Sequence, residues 1–160
     1  MKFILTPELG RLCKWLRILN YDAYYFKGRS ASLILKALQE DRIIITREKR
    51  SFRNSAVKSV VLNQEKLLSQ FKELKSVLGL DINIDNIFLR CADCNTVTVK
   101  VDKKDIKGKV PSYVYDNQQE FYKCPVCKKI FWRGTHWELA KNYLSEIEKD
   151  YLSEIGNDSC

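Results

Sequence analysis

The chain carries two Cys-x-x-Cys pairs, Cys91-Ala92-Asp93-Cys94 and Cys124-Pro125-Val126-Cys127. A Cys-x-x-Cys turn brings two thiolates onto one metal ion, and a second pair completes a tetrahedral site. The 29 residues between the pairs are too many for a tight finger and suit a zinc ribbon whose hairpins are joined by a long loop. Four thiolates leave no position for substrate, so the predicted zinc is structural. The alternative is four buried or disulfide-bonded cysteines.

The charge of the chain is unevenly distributed. The formal net charge is +8, with balances of +7 over residues 1–89, +5 over residues 90–135 and −4 over residues 136–160. The two basic regions predict a polyanionic partner, and nucleic acid is the default one. The alternative is that this is one of the many basic proteins that bind no nucleic acid.

We expect a cytoplasmic protein that does not enter a membrane. Residues 1–5 are too short for the apolar part of a signal peptide, and charged residues follow soon after. No apolar run approaches the length needed to span a bilayer. A compartment that keeps thiols reduced also agrees with metal-bound cysteines.

Strand and helix patterns alternate over the first half of the chain. Apolar runs predict short strands, and apolar residues at helical spacing predict helices between them; the strands fall at residues 2–5, 23–26, 43–45 and 57–62. This alternation is typical of an α/β domain with a parallel sheet. We expect three parts: an α/β domain over residues 1–82, a zinc ribbon over 87–135 and a C-terminal helix over 136–155.

Candidate catalytic carboxylates follow two of the predicted strands. Function in an open α/β sheet usually lies at the carboxyl ends of the strands, where a metal-dependent nuclease holds Mg²⁺ or Mn²⁺ with several carboxylates. Glu48 follows the strand at residues 43–45 and is the best candidate. Glu8, at the start of the first helix, and Asp22 are weaker candidates. The alternative for each is a solvated loop charge.

Basic residues form a second candidate site, for RNA. Phosphate contacts are predicted for three arginines of the α/β domain, a basic cluster after them and three lysines of the ribbon loop: Arg11, Arg17, Arg47, Arg50, Arg53, Lys103, Lys104 and Lys107. The lysines lie near tyrosines, a composition that suits RNA. The alternatives are a solvated loop, and arginines that hold the fold by pairing, Arg17 with Asp22 and Arg47 with Glu48.

Several motifs carry a resemblance to a known family. They are FILTPELGRL at residues 3–12, RIIITRE at 42–48, RCADCN at 90–95, EFYKCPVC at 120–127 and WRGTHW at 132–137. These stretches resemble the Mut-seven C-terminal RNase-domain family over roughly residues 2–137. The resemblance implies a PIN-like nuclease fold fused to a zinc ribbon, with a metal-dependent ribonuclease activity.

The resemblance also implies three metal-binding aspartates that this chain lacks. Thr6, Ser30 and Glu48 stand at those positions, and only Glu48 keeps a carboxylate. A hydroxyl brings no negative charge to a divalent cation. We therefore expect an RNA-binding family member with a degenerate nuclease site and, by analogy, a ribonucleoprotein partner such as the ribosome. The alternative is an active Mg²⁺- or Mn²⁺-dependent endoribonuclease; whether the chain is an enzyme stays open, as does its oligomeric state.

Overall fold

The structure, a computed structural model, describes residues 1–28, 30–49 and 56–157, and at residues 30, 136, 148 and 150–157 it describes the backbone alone. The chain divides into two compact units. The first unit comprises Met1–Arg17 and Tyr21–Asp81, and the second comprises Ile18–Asn20 and the described residues from Ile82 onward.

The first unit alternates strands and helices. Its elements are β1 (Lys2–Leu5), a helical turn (Pro7–Leu9), α1 (Gly10–Ile18), β2 (Asp22–Tyr25), α2 (Ser30–Glu40), β3 (Ile43–Thr46), β4 (Ser59–Val61) and α3 (Leu67–Leu78). The four strands form a parallel sheet in the order β2-β1-β3-β4.

The central strands β1 and β3 are apolar because both of their faces are covered. Phe3, Ile4, Leu5, Ile44 and Ile45 are fully buried. A continuous apolar run, without alternation, is what a parallel strand between two layers requires. The register pairs the last residues of β1 with those of β3, so the polar residues that follow both strands meet at one edge of the sheet.

An arginine joins the strands at the opposite, amino edge of this sheet. Arg42 is only 9% exposed, and its guanidinium donates to the Phe3 carbonyl at 3.2 Å and to Asp22 Oδ1 at 2.7 Å. Its Nε donates to Glu40 Oε2 at 2.6 Å. The amino ends of β1, β2 and β3 are therefore held together through one buried cation.

The second unit contains a three-stranded antiparallel sheet and two helices. Its elements are a helical turn (Ile84–Asn86), β5 (Val99–Val101), a second turn (Lys103–Ile106), α4 (Ser112–Asn117), β6 (Phe121–Lys123), β7 (Ile130–Trp132) and α5 (Thr135–Asn157). The strand order is β5-β6-β7. The sequence predicts a long loop between the cysteine pairs, and the structure differs there. Much of that segment is folded because Ile106 and Val114 pack with Phe121 in a small core.

The last helix presents one apolar face. Its buried residues recur every three or four positions: Trp137, Ala140, Leu144 and Ile147. Across the described ranges, no helix has both the length and the apolar character needed to cross a bilayer. The predicted fold class is confirmed, since the structure is mixed α/β with a four-stranded parallel sheet, a four-cysteine cluster and a C-terminal helix.

Candidate metal centre and nucleic-acid interface

The four cysteines of the predicted metal site lie together. The Sγ atoms of Cys91, Cys94, Cys124 and Cys127 are all within 4.8 Å of one another, and those of Cys91 and Cys127 are 3.7 Å apart. A tetrahedral zinc with Zn–S bonds of about 2.3 Å sets its sulfurs about 3.8 Å apart. The cluster therefore has the size that one tetrahedral ion requires.

Each cysteine pair is held by the same backbone turn. The Asn95 amide donates to the carbonyl of Cys91 at 2.9 Å, and the Lys128 amide donates to that of Cys124 at 3.0 Å. Both donors, four residues after the first cysteine of their pair, have positive φ angles of 61° and 65°. Two equivalent turns thus present two thiols each, as a ribbon site needs.

The sulfurs differ in acidity because backbone amides favour the thiolate of Cys124, whereas neighbouring sulfurs disfavour that of Cys94. Burial raises the pKa of Cys124, but the amides of Cys127 and Val126 donate to its sulfur and bring that pKa down to about 7. The pKa of Cys94 is raised to about 12 by its hydrogen bond with Cys127, by burial and by the nearby Cys91. Four sulfurs cannot all ionise together without compensating charge, which a divalent cation supplies. The cluster can hold a metal such as zinc.

A second cluster lies at the carboxyl edge of the parallel sheet. The chain crosses from β1 to β2 on one side and returns to β3 on the other, so a topological switch point lies between β1 and β3. Thr6 follows β1 and Thr46 ends β3, and both are buried. The Thr6 amide donates to the Ile45 carbonyl at 3.2 Å, which fixes the two threonines side by side.

The carboxylate of Glu8 reaches this switch point. Its Oε1 accepts hydrogen bonds from Thr6 Oγ1 at 2.5 Å, from the Arg47 amide at 3.0 Å and from Thr46 Oγ1 at 3.4 Å. Burial raises the pKa of Glu8, but these donors outweigh it and hold the pKa below its ordinary value. The sequence places Glu8 at a helix start; the turn Pro7–Leu9 carries its side chain back to the strand ends.

The other candidate carboxylates lie in different places. Glu48 is exposed, and its amide donates to Thr46 Oγ1 at 3.1 Å, so its backbone lies beside the same strand end. Asp22 lies at the amino edge with Arg42, and the structure does not bring it together with Glu8. The Ser30 side chain lies outside the described residues. Where side chains are described, the four cysteines are the one group of three or more His, Cys, Asp or Glu placed to hold a metal.

The arginines predicted to contact RNA have unequal exposure. Arg11 is exposed on α1. Arg17 is 8% exposed, and its Nε donates to the Ala23 carbonyl at 2.7 Å, which favours the interpretation that it holds the fold. The guanidinium of Arg47 pairs with Glu65 Oε1 at 2.7 Å. Arg50 and Arg53 lie outside the described residues.

The predicted lysines lie together on the second unit. Lys103 Nζ lies 5.1 Å from the centre of the Tyr115 ring, and Lys104 Nζ lies 3.6 Å from Asp102 Oδ2. Lys107, just after the same turn, is exposed. Lys103 therefore contacts an aromatic ring and Lys104 a surface carboxylate. All three lysines lie in or next to the turn Lys103–Ile106.

Fold and site together define an α/β protein with a parallel sheet and a four-cysteine cluster that could hold a metal ion. The family model of the Mut7-C RNAse domain matches residues 1–144 of the 160, and the chain belongs to that family. The resemblance seen in the motifs is thus confirmed, and it suggests a nuclease-like or RNA-related function. A search of curated proteins gave no match to the sequence.

Proposed function

We propose that the chain is an RNA-binding member of the Mut7-C RNAse family with a degenerate nuclease site and a structural zinc ribbon. The observation that supports it best is the switch point between β1 and β3. Two neutral threonines stand there, and the Glu8 carboxylate that reaches them already accepts their hydrogen bonds. The division into a PIN-like domain (1–82), a ribbon (87–135) and a final helix (136–155) is part of the proposal.

A divalent cation would be held weakly at such a site. Mg²⁺ and Mn²⁺ prefer several hard, anionic oxygens, and their ability to activate water depends on tight placement. Thr6 and Ser30 bring none of that charge, while Glu8 and Glu48 bring one negative charge each. A water at this edge is therefore poorly activated.

RNA binding rests on the basic surface rather than on the switch point. Residues 1–135 carry a balance of +12, and Lys103 of the second unit lies over the ring of Tyr115. Cations that neutralise phosphates release counterions, so affinity falls steeply with salt. A cytoplasmic ribonucleoprotein such as the ribosome is the proposed setting, with zinc on the four cysteines as the structural cofactor.

One observation favours active cleavage instead. The lowered pKa of Glu8 keeps its carboxylate ionised at the switch point, and the backbone of Glu48 lies beside the same strand end. Glu8 and Glu48 could then share Mg²⁺ or Mn²⁺ in an endoribonuclease whose remaining ligands are water and substrate phosphate.

Binding and cleavage are scored separately to decide between these functions. End-labelled hairpin and single-stranded RNAs are incubated with the purified protein in Mg²⁺, Mn²⁺ or EDTA, with anisotropy and gel readouts. We expect salt-dependent binding in every condition and no cleavage. Metal-dependent cleavage that disappears in Glu8→Gln or Glu48→Gln would establish the nuclease. Failure to bind either RNA at low salt would overturn the RNA-binding proposal.

A further inference from the structure

An open groove of about 500 Å³ lies on the second unit, and none of the RNA-contact residues discussed so far lines it. Four lysines from three separate segments line it, together with two apolar side chains of β7: Lys109, Lys123, Lys128, Lys129, Ile130 and Trp132. The segments converge because β6 and β7 pair through Lys123 and Ile130, and the second cysteine turn joins the two strands. Four cations are thereby concentrated around one concave surface.

Three of these lysines form no ion pair with any described residue. Lys109 Nζ donates to the Asp105 carbonyl at 2.7 Å, and Lys128 Nζ donates to the Pro125 carbonyl at 2.5 Å, so both have neutral acceptors. Lys129 differs, since it forms an ion pair with Asp93. In the described part of the chain, Lys109, Lys123 and Lys128 form no ion pair. The groove therefore presents three lysines that are not paired with a carboxylate, an arrangement that suits an anionic ligand.

An aromatic pocket shares a wall with the groove. Trp132 and Ile130 also line an apolar cavity of about 240 Å³ that Phe88, Phe131 and Trp137 complete. The adjoining Gly134 leaves room for the Trp132 ring in this cavity, because a Cβ at position 134 would lie only 2.6 Å from Trp132 Nε1. Ile130 and Trp132 thus belong both to the lysine groove and to the aromatic pocket.

We propose that this groove and its aromatic pocket form a binding site for single-stranded RNA. Lys109, Lys123 and Lys128 contact successive phosphates, and the pocket beside Trp132 receives an unstacked base. This site rests on the RNA binding proposed above and gives it a location. A cationic groove with aromatic side chains is the arrangement by which proteins hold single strands without reading their sequence.

Other polyanions fit the surface less well. A duplex keeps its bases stacked and paired, so it can meet the lysines but cannot place a base in the pocket. An acidic protein segment also matches the lysines, but carboxylates gain nothing from an aromatic wall, whereas every base has a π-face to stack on it. Charge and shape together therefore favour single-stranded RNA.

The test uses the full chain loaded with zinc and a fluorescein-labelled oligouridylate of about 12 nucleotides, whose length matches common single-strand sites. Lys123→Glu with Lys128→Glu reverses the groove charge. Lys66→Glu with Lys149→Glu is the matched control, since it makes the same charge change at exposed positions, one just before α3 and one on α5. Zinc content and circular dichroism verify that each variant is folded.

We expect the groove variant to lose about tenfold or more in affinity and its salt slope to fall by about 1.4, the contribution of two single-strand phosphates. The control should change affinity less than about threefold, because neither of its lysines lines the groove and salt screens exposed charges that contact no phosphate. Since Lys123 lies within β6, Lys109→Gln with Lys128→Gln is a second variant at exposed positions, with a smaller loss expected.

Each of the following outcomes would overturn the proposed single-strand site. If the natural protein binds the oligouridylate and the groove variants match the control, the groove is not the RNA site although RNA binding itself stands. If an unlabelled duplex competes as well as the single strand, the pocket takes no base. If oligoglutamate displaces the RNA more effectively than oligouridylate does, the groove is a protein-docking surface. If the natural protein binds no RNA at low salt, the proposed function fails first.

Discussion

Replacing Glu8 with glutamine tests what the carboxylate at the strand ends does. Three donors converge on its Oε1: the Thr6 hydroxyl at 2.5 Å, the Arg47 amide at 3.0 Å and the Thr46 hydroxyl at 3.4 Å. If these bonds hold the loop after β3 against the turn after β1, the neutral glutamine should weaken the first unit. Glutamine keeps an accepting oxygen of nearly the same shape, so the change removes charge and little else.

The expected loss is modest because water reaches the site. Hydrogen bonds to a charged group contribute about 1.5–3 kcal/mol each when buried, but Glu8 is exposed and glutamine still accepts, so we expect a loss of about 1 kcal/mol. In thermal unfolding of the first unit at neutral pH, that corresponds to a Tm lower by about 5 °C. Glu65→Gln is the control; its side chain is 81% exposed, and its ion pair with Arg47 should contribute less than about 0.5 kcal/mol.

The pH dependence gives an independent measurement of the same carboxylate. Its folded-state pKa lies below the ordinary value of 4.5, so its stabilising contribution is present above that value and is lost as the pH falls through the folded-state pKa. The Tm difference between the natural protein and Glu8→Gln should therefore shrink below pH 4.5. A variant at least as stable as the natural protein at neutral pH would refute this reasoning, and would indicate a carboxylate held at a cost for catalysis.

Three further variants test the two units. Cys91→Ser should abolish stoichiometric zinc binding, measured by elemental analysis. It should also unfold the second unit while the first stays folded, measured by amide hydrogen exchange. Full zinc retention would contradict this prediction. Arg42→Met removes the ion pairs that Arg42 forms with Asp22 and Glu40, while Glu40 keeps its ion pair with Lys36. It should cost the first unit about 2 kcal/mol in urea unfolding, below the range for fully buried pairs, and an unchanged midpoint would contradict this. The double variant Thr6→Asp with Ser30→Asp should bind Mn²⁺ more tightly than the natural protein in calorimetry, and should have a lower Tm than the natural protein in EDTA. If both proteins bind Mn²⁺ with the same affinity, the switch point holds no metal.

Apolar runs made the parallel sheet predictable, whereas the interior of the cysteine module was not. The runs at residues 2–5 and 43–45 correspond to Lys2–Leu5 and Ile43–Thr46, since strands covered on both faces need uninterrupted apolar residues. Residues between the cysteine pairs have no such pattern. Their short helices form because Ile106 and Val114 pack on Phe121, which is a tertiary contact between separate segments.

The carboxylates show why a site is harder to predict than a sheet. Glu8 lies three residues after the end of β1, and only the dihedral angles of the following turn bring its side chain to Thr6. Asp22 begins β2, and the first residue of a parallel strand lies at the opposite edge from the last. Knowing that β2 begins at Asp22 would have placed this residue at the amino edge, but sequence patterns locate the start of a strand only to within a few residues. Contributions of these carboxylates to catalysis stay predictions.

The positions of the cysteine pairs affect the order in which parts of the chain can fold during translation. Apart from Ile18–Asn20, the first 81 residues make up the first unit, so its strands are translated before Cys91. Cys94 then precedes Cys124 by 30 residues, which at about 5–20 residues per second leaves the first pair alone for roughly 2–6 s. A metal ion at the four cysteines would therefore be captured after the strands of the parallel sheet are made, and before α5 is complete. A cell short of zinc should accumulate chains with a folded first half and an open second half, which proteases would trim from the carboxyl end.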